Sequence, residues 1–261
     1  MSMDTANLVH SRIWEEEAEP DNAFATRSAH CHGYDVYGAM LGNASWADML
    51  FLMLRGEAPS LAQERLLDTL AMALANAGPR SPAVHAAMCG GVAGSTAAAS
   101  LIAALSVGAG GYCGAREVLL AMQHWRACGN DLPQWQAQLA AEPERAVSIW
   151  PVQEHAPGFD PHARSASTIV LQTLRCLAEL SPGPHLAWLL AELPALEAAA
   201  GCALAMGGVA AAALQDLDFT PAQGEMLFLM LRLPGAAAHA LEQGEMGFRK
   251  FPFFSIEQVP Q

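Results

Sequence analysis

Val107-Gly108-Ala109-Gly110-Gly111-Tyr112-Cys113-Gly114-Ala115-Arg116-Glu117 closes an uncharged stretch that begins near Ala86, and charge returns only at Arg116 and Glu117. Glycines at this density let a backbone turn sharply and lie close to a ligand or to another helix. Tyr112 is the one side chain there with a titratable hydroxyl. The residues leading into the cluster are mostly Ala, Gly, Ser and Thr, which predicts one long helix from Ala86. It is long enough to span a bilayer. Its composition and the glycines that follow it, in place of a basic flank, predict a buried core helix instead. Gly90 and Gly94 stand four apart on one face, which suits close helix packing.

The composition points the same way. Apolar residues make up 52% of the 261, alanine is heavily used, and there are only nine Phe, three Tyr and six Trp. Ala-rich apolar stretches with few β-branched residues favour helices. The length suits one large domain, or a large one carrying a smaller insertion. A net charge of −13 argues against nucleic acid or an anionic membrane surface as partner. Of the 13 basic residues only Lys250 is a lysine, so Schiff-base chemistry has almost no candidate. A phosphate or carboxylate ligand is expected to meet arginine forks. The six cysteines form no Cys-x-x-Cys pair and the first residues are polar, so reduced thiols in the cytoplasm are expected.

Along the chain, the acidic run Ser11 to Pro20 reads as a solvated arm. His30-Cys31-His32 invites a metal, but adjacent side chains point in different directions and no second pair stands at zinc spacing, so none is expected. Asn43-Ala44-Ser45 starts a helix with Asp48 in its first turn, and Trp46, Met49, Leu50, Met53 and Leu54 share a face. Gly56-Glu57-Ala58-Pro59 ends it, and Ser60 caps the next, which carries Leu61, Leu66, Leu67, Leu70 and Leu74. Asn76 to Pro82 is a turn. Residues 118 to 150 are more polar, with Trp125, Trp135 and Trp150, and are punctuated by Pro133 and Pro143. Pro151 to Pro161 reads as a loop, residues 165 to 179 and 186 to 190 as helices, and 195 to 214 as a second uncharged helix. Thr220-Pro221 caps the last long helix, which is expected to reach Leu233-Pro234-Gly235, and an aromatic tail runs from Phe248 to Phe254. No stretch alternates long enough to require a sheet. The expectation is an all-α protein with residues 1–117 and 206–261 as a large helical domain and 118–205 as a smaller inserted one.

Several stretches together resemble the citrate synthase superfamily, most closely its short citryl-CoA-lyase-like members. They are His32-Gly33-Tyr34-Asp35-Val36 with Asn43-Ala44-Ser45-Trp46, Leu54-Arg55-Gly56-Glu57-Ala58-Pro59, and Gly111 to Glu117. Pro157-Gly158-Phe159 and Leu231-Arg232-Leu233-Pro234-Gly235 to Glu242 complete the set. Each piece is short; their order and spacing carry the resemblance. It implies an all-α dimer that joins or cleaves a carbon–carbon bond beside a CoA thioester, in a cleft between two domains. In that family an aspartate removes a proton from the thioester methyl while a histidine stabilises the enol. A second histidine polarises the ketone and arginines hold carboxylates.

Carried over residue by residue, the resemblance places Tyr112 at the first histidine position, where a phenol can donate a hydrogen bond to an enolate oxygen. The piece that normally holds the second histidine is absent between Phe159 and Asp160. His155 and His162 flank the gap; both read as solvated loop residues, with His162 kept as a weak catalytic candidate. The aspartate position holds Gly207. Arg232 matches the carboxylate-binding arginine, and burial beside an apolar face would call for an anionic partner; Arg116 is a second substrate-binding candidate. Pro157, Gly158 and Phe159 match the loop against the CoA adenine, and Arg164 is a candidate for a CoA phosphate.

The resemblance therefore implies a CoA thioester and a di- or tricarboxylate as substrates, with no bound cofactor and no metal. The reaction expected is of citrate synthase or citryl-CoA lyase type, altered or weak. The alternative is a catalytically silent paralogue that binds ligand or regulates an active homologue, as a homodimer or a heterodimer. Altered chemistry on a related acyl-CoA, using Tyr112, Cys113 and Arg116, is a third reading. Cys113 itself reads as a buried structural thiol.

Overall fold

The computed structural model describes residues 9–141, 155–252, 254 and 257, and within them the acidic N-terminal run is a strand rather than a solvated arm. β1 (Trp14–Glu19) pairs antiparallel with β2 (Asn22–Cys31), and β2 with the short β3 (Tyr34–Asp35). Most of β1 is exposed on both faces, so no apolar alternation marks it. Its acidic residues find partners across the ladder instead. Arg27 donates from Nη2 to Glu17 Oε2 at 2.7 Å, and hydrogen bonds from Arg27 and Ser28 hold the Glu17 carboxyl below its ordinary range. His32 (φ +48°) and Gly33 (φ +85°) make the turn between β2 and β3. Among the described residues no three His, Cys, Asp or Glu side chains are gathered so as to hold a metal ion.

α1 (Trp46–Arg55) opens on the expected cap, with Ser45 and Asp48 closing a reciprocal capping box, and ends at Gly56 in the left-handed region. Its buried residues are Ala47, Leu50, Phe51 and Leu52, whereas Trp46, expected on the apolar face, is 70% exposed at the head of the helix. α2 (Leu61–Leu74) buries Leu66, Leu67, Leu70 and Leu74 and leaves Leu61 exposed. The chain divides into two compact units between Asp68 and Thr69, inside α2, a boundary that no composition shift marks.

In the second unit the end of α2 is followed by α3 (Pro82–Val92) and α4 (Ala97–Gly108). These replace the single long helix expected from Ala86. The chain breaks at Gly94, whose φ of +74° no helix accommodates, and restarts where Thr96 caps Ala99 N at 3.3 Å. Gly94 is thus a turn residue, and the close packing falls to its neighbours. A Cβ on Gly90 would lie 2.6 Å from Ser100 Oγ on α4, and one on Gly91 would meet the Ala240 carbonyl.

α5 (Ala115–Cys128) and α6 (Leu132–Ala140) follow, then β4 (Phe159–Asp160), α7 (Thr168–Leu180), α8 (His185–Ala200) and β5 (Ala203–Leu204). Last come α9 (Met206–Asp216) and α10 (Pro221–Met246). The second uncharged helix is also interrupted. α8 stops at Gly201 (φ +65°), β5 pairs with β4, and α9 starts only at Met206. α10 runs through Pro234 instead of ending there. The helix loses a ladder bond at the proline, and the next amide, Gly235 N–H, leaves the ladder to donate to Ala75 O at 2.7 Å.

These interruptions explain the uncharged sequence. Every residue of α9 from Gly208 to Leu214 is buried, and a helix surrounded on all sides reads as apolar all round. α5 packs against both α9 and α10. Val84, Ala87, Ala104, Ala236 and Ala240 form a core cluster where α3, α4 and α10 meet, and their small side chains let the three backbones approach. The described residues are mainly helical, and none of their helices is long and apolar enough to cross a membrane. Pro143, Trp150, residues 151–154 of the expected loop and Phe253 of the tail lie outside the described residues.

Candidate functional site

Between α4 and α5 the glycine cluster folds onto itself. A Cβ on Gly114 would stand 2.8 Å from the Gly108 carbonyl oxygen and 2.9 Å from Gly110 N, so only glycine fits. Cys113 is held at φ +54°. Glu117, in the first turn of α5, fixes this loop from beneath and is 2% exposed. One carboxylate oxygen accepts the Cys113 N–H, and the other accepts Gly158 N–H at 2.9 Å. A carboxylate at a helix start is also favoured by the helix dipole. Glu117 therefore ties the Tyr112–Cys113 loop to the Pro157–Phe159 loop.

His155 comes to the same place. Its side chain is 2% exposed, its Nε2 is 3.4 Å from Glu117 Oε1, and its ring packs 5.6 Å from that of the half-exposed Tyr112. This overturns the reading of His155 as a solvated loop residue, because the loop before Pro157 turns inward onto Glu117.

Arg232, on α10, approaches from another direction. It donates from Nη1 to Cys113 O at 2.9 Å and from Nη2 to Ser81 Oγ at 3.1 Å, and its guanidinium lies 4.9 Å from the centre of the Phe228 ring. Burial pulls its pKa below the usual arginine value. Among the described residues no carboxylate stands within ion-pair distance of it. Cys113 is exposed rather than buried, since the positive-φ turn carries it outward. Partial desolvation and then the Glu117 and Asp160 carboxylates push its thiol above the ordinary range, with Arg232 opposing them. A raised thiol is a poor nucleophile at neutral pH.

Gly207, at the start of α9, faces α5: a Cβ there would lie 3.6 Å from Val118 Cγ2. Gly158 and Gly208 are pressed together, with a Cβ on Gly158 reaching within 2.9 Å of Gly208 Cα. Gly158 also accepts from Ala205 N at 2.9 Å, and Phe159 pairs with Leu204. Both polar groups of the Gly158 backbone are thus used within the chain.

The structure therefore gathers Tyr112, Gly158 and Arg232, linked through Glu117 and Cys113. The remaining candidates lie elsewhere. His162 is exposed and its N–H bonds Asp160 Oδ1 at 2.9 Å. Arg164, also exposed, donates to the Gly201 carbonyl at 3.1 Å. Arg116 points to solvent with Glu225 at 3.9 Å. Glu117 and Ser81 are participants that sequence reading did not single out as site residues, and His155 is one that it set aside as a solvated loop residue. The one available signal was Glu117, the first carboxylate after the uncharged stretch.

No protein family profile matches the sequence, and no curated protein does. Solved structures do. The citryl-CoA lyase of Hydrogenobacter thermophilus superposes with a TM-score of 0.72 at 18% identity, covering 97% of this chain and 96% of that one. The citrate synthase of Thermoplasma acidophilum, solved with carboxymethyl coenzyme A and oxaloacetate, gives 0.60 at 14% identity over 84% of this chain and 58% of its own.

This chain has the citrate synthase fold.

The ATP citrate lyase of Methanothrix soehngenii, solved with citrate and coenzyme A, shares it over 97% of this chain but only 42% of its own length, with a TM-score of 0.72 at 15% identity. Short stretches of sequence had pointed to the citrate synthase fold, and the superposition extends it over nearly the whole chain.

Proposed function

We propose that this protein binds a CoA thioester together with a di- or tricarboxylate and acts on the carbon–carbon bond between them, in the manner of citryl-CoA lyase or citrate synthase. The observation that carries the proposal is Arg232, a desolvated guanidinium with no carboxylate partner among the described residues, set beside the Tyr112 loop. A partly buried cation without a counter-ion favours an anionic ligand. In this reading Arg232 serves the carboxylates and Tyr112 the developing oxyanion, while Arg116, which points to solvent beside Glu225, has no part. Pro157, Gly158, Phe159 and Arg164 serve the CoA moiety, and His162 has no role. The ligands lie between a domain of residues 118–205 and the remainder, in a dimer with itself or a paralogue.

Gly207 supports a second reading. No carboxylate stands at the acid position, where the nearest side chain is the Val118 methyl, so the protein binds these ligands without turning them over. One experiment separates the two. Calorimetry with citrate and with CoA, followed by incubation with citryl-CoA, gives binding and release of acetyl-CoA under the first reading. Binding without release gives the second. Absence of binding at millimolar ligand rejects both.

A further inference from the structure

His155 differs from the other described histidines in that both of its ring nitrogens are buried without a partner. Its side chain is 2% exposed, and neither ring nitrogen has a hydrogen-bond partner among the described residues. Buried polar groups are nearly always matched, and an unmatched one calls for an explanation such as a catalytic role. The group it faces is a carboxylate. Glu117 Oε1 lies 3.4 Å from Nε2, beyond an ordinary hydrogen bond and short enough to tighten when a ligand binds. Glu117 is itself anchored at both oxygens by Gly158 N–H and Cys113 N–H, so it is a fixed point for the ring. Tyr112 packs against the imidazole, with ring centres 5.6 Å apart, and is itself half exposed.

We propose that His155 is the general base of this site, with Glu117 as its positioning carboxylate. The inference rests on the reading of the site as one that takes a CoA thioester. When a ligand binds, closing the 3.4 Å gap between Nε2 and Glu117 Oε1 places the proton on Nε2 and leaves the Nδ1 lone pair as the acceptor. Nδ1 takes a proton from the carbon next to the thioester carbonyl. The C–H electron pair becomes the carbon–carbon double bond of the enolate, and the carbonyl π pair moves to oxygen, where the Tyr112 hydroxyl donates a hydrogen bond. Glu117 balances the imidazolium until the proton returns to carbon. Turning the Tyr112 ring toward the ligand both uncovers His155 and brings the hydroxyl to the oxygen. Gly207 then needs no carboxylate, because the base comes from the 155–158 loop that packs against the start of α9.

The test uses acetyl-CoA in deuterated water, following loss of the methyl proton signal by NMR, with calorimetry on the same samples. The wild-type protein should bind acetyl-CoA and exchange its methyl protons. His155→Gln should bind within about threefold of wild type and exchange at least roughly a hundredfold more slowly. Glu117→Gln, whose amide can accept only one of the two backbone N–H groups, should slow exchange by at least about tenfold and also weaken acetyl-CoA binding. Added imidazole should restore exchange to His155→Ala, which a structural role would not allow. Binding and exchange in His155→Gln equal to wild type overturns the inference and leaves the proposed function standing, as does wild-type binding without exchange. Absence of acetyl-CoA binding overturns both.

Discussion

Arg232 on α10 donates to the carbonyl oxygen of Cys113, 2.9 Å away across the fold, so the helix fixes the loop that presents Tyr112. The guanidinium uses its second arm on Ser81 Oγ and rests on Phe228, which keeps the fork in one orientation. A cation so placed does two jobs: it shapes the loop and leaves a desolvated positive charge for an anion.

The first consequence concerns lysine at this position. Arg232→Lys keeps the charge but cannot reach Cys113 O and Ser81 Oγ together from one compact ammonium. Citrate affinity should fall by about tenfold or more and folding stability by about 1 kcal/mol. Calorimetry and urea unfolding measure the two. Unchanged citrate affinity would remove Arg232 from the binding site.

A second consequence concerns the glycine pair behind the site. A Cβ on Gly208 would run into the Gly158 carbonyl oxygen, a backbone atom that cannot swing aside. Gly158 is in turn held by Glu117 and Ala205. Gly208→Ala should therefore destabilise the protein by about 1–3 kcal/mol, the usual cost of overpacking. Gly207→Ala, where a Cβ meets Val118 Cγ2 at an ordinary 3.6 Å, should be nearly neutral. Thermal unfolding of the pair decides it, and equal effects would mean that the contact between the two glycines is not as close as described.

Cys113 gives a dependence on pH. Partial desolvation and two carboxylates raise its thiol, and Arg232 opposes them. Alkylation by iodoacetamide at Cys113 should stay slow at neutral pH and accelerate only above the ordinary thiol range. Arg232→Gln should push that acceleration to still higher pH. The sign for stability follows from the same shift. The folded thiol titrates above the unfolded one, so its contribution is full below the ordinary thiol range and is lost as pH rises through the raised value. Peptide mapping of alkylated Cys113 across pH is the measurement, and rapid labelling at neutral pH would contradict it.

Local sequence announced much of the framework. Ser45 with Asp48, and Thr220 with Gln223 and Pro221, start helices because side chains a few residues apart satisfy the free amides of the first turn. The same local reading failed where the partner was distant. β1 carries acidic residues that pair with β2, so nothing in its own pattern alternates. Gly94 looked like a packing residue because helical spacing from Gly90 is all that a sequence displays; its positive φ appears only when the chain turns. Pro234 looked like a helix end, and the helix continues because Ala75, far away in the chain, takes the freed amide.

The candidate site divides in the same way. Tyr112, Arg232 and the Pro157–Phe159 loop were legible as short motifs in a fixed order, since each is a local run of residues. Glu117 and His155 were not, because neither becomes unusual until the 155–158 loop folds back onto α5 and buries both. By itself, then, the sequence determined a helical protein, through helix caps, an uncharged Ala/Gly core and turn glycines that act over a few residues, while its likeness to the citrate synthase superfamily lay in a set of short stretches in order. Tertiary structure decided where the long apolar stretches break, that Cys113 faces outward, and that a carboxylate and an imidazole meet beside Tyr112. Those outcomes depend on burial and on contacts between residues distant in the chain, which no local pattern records.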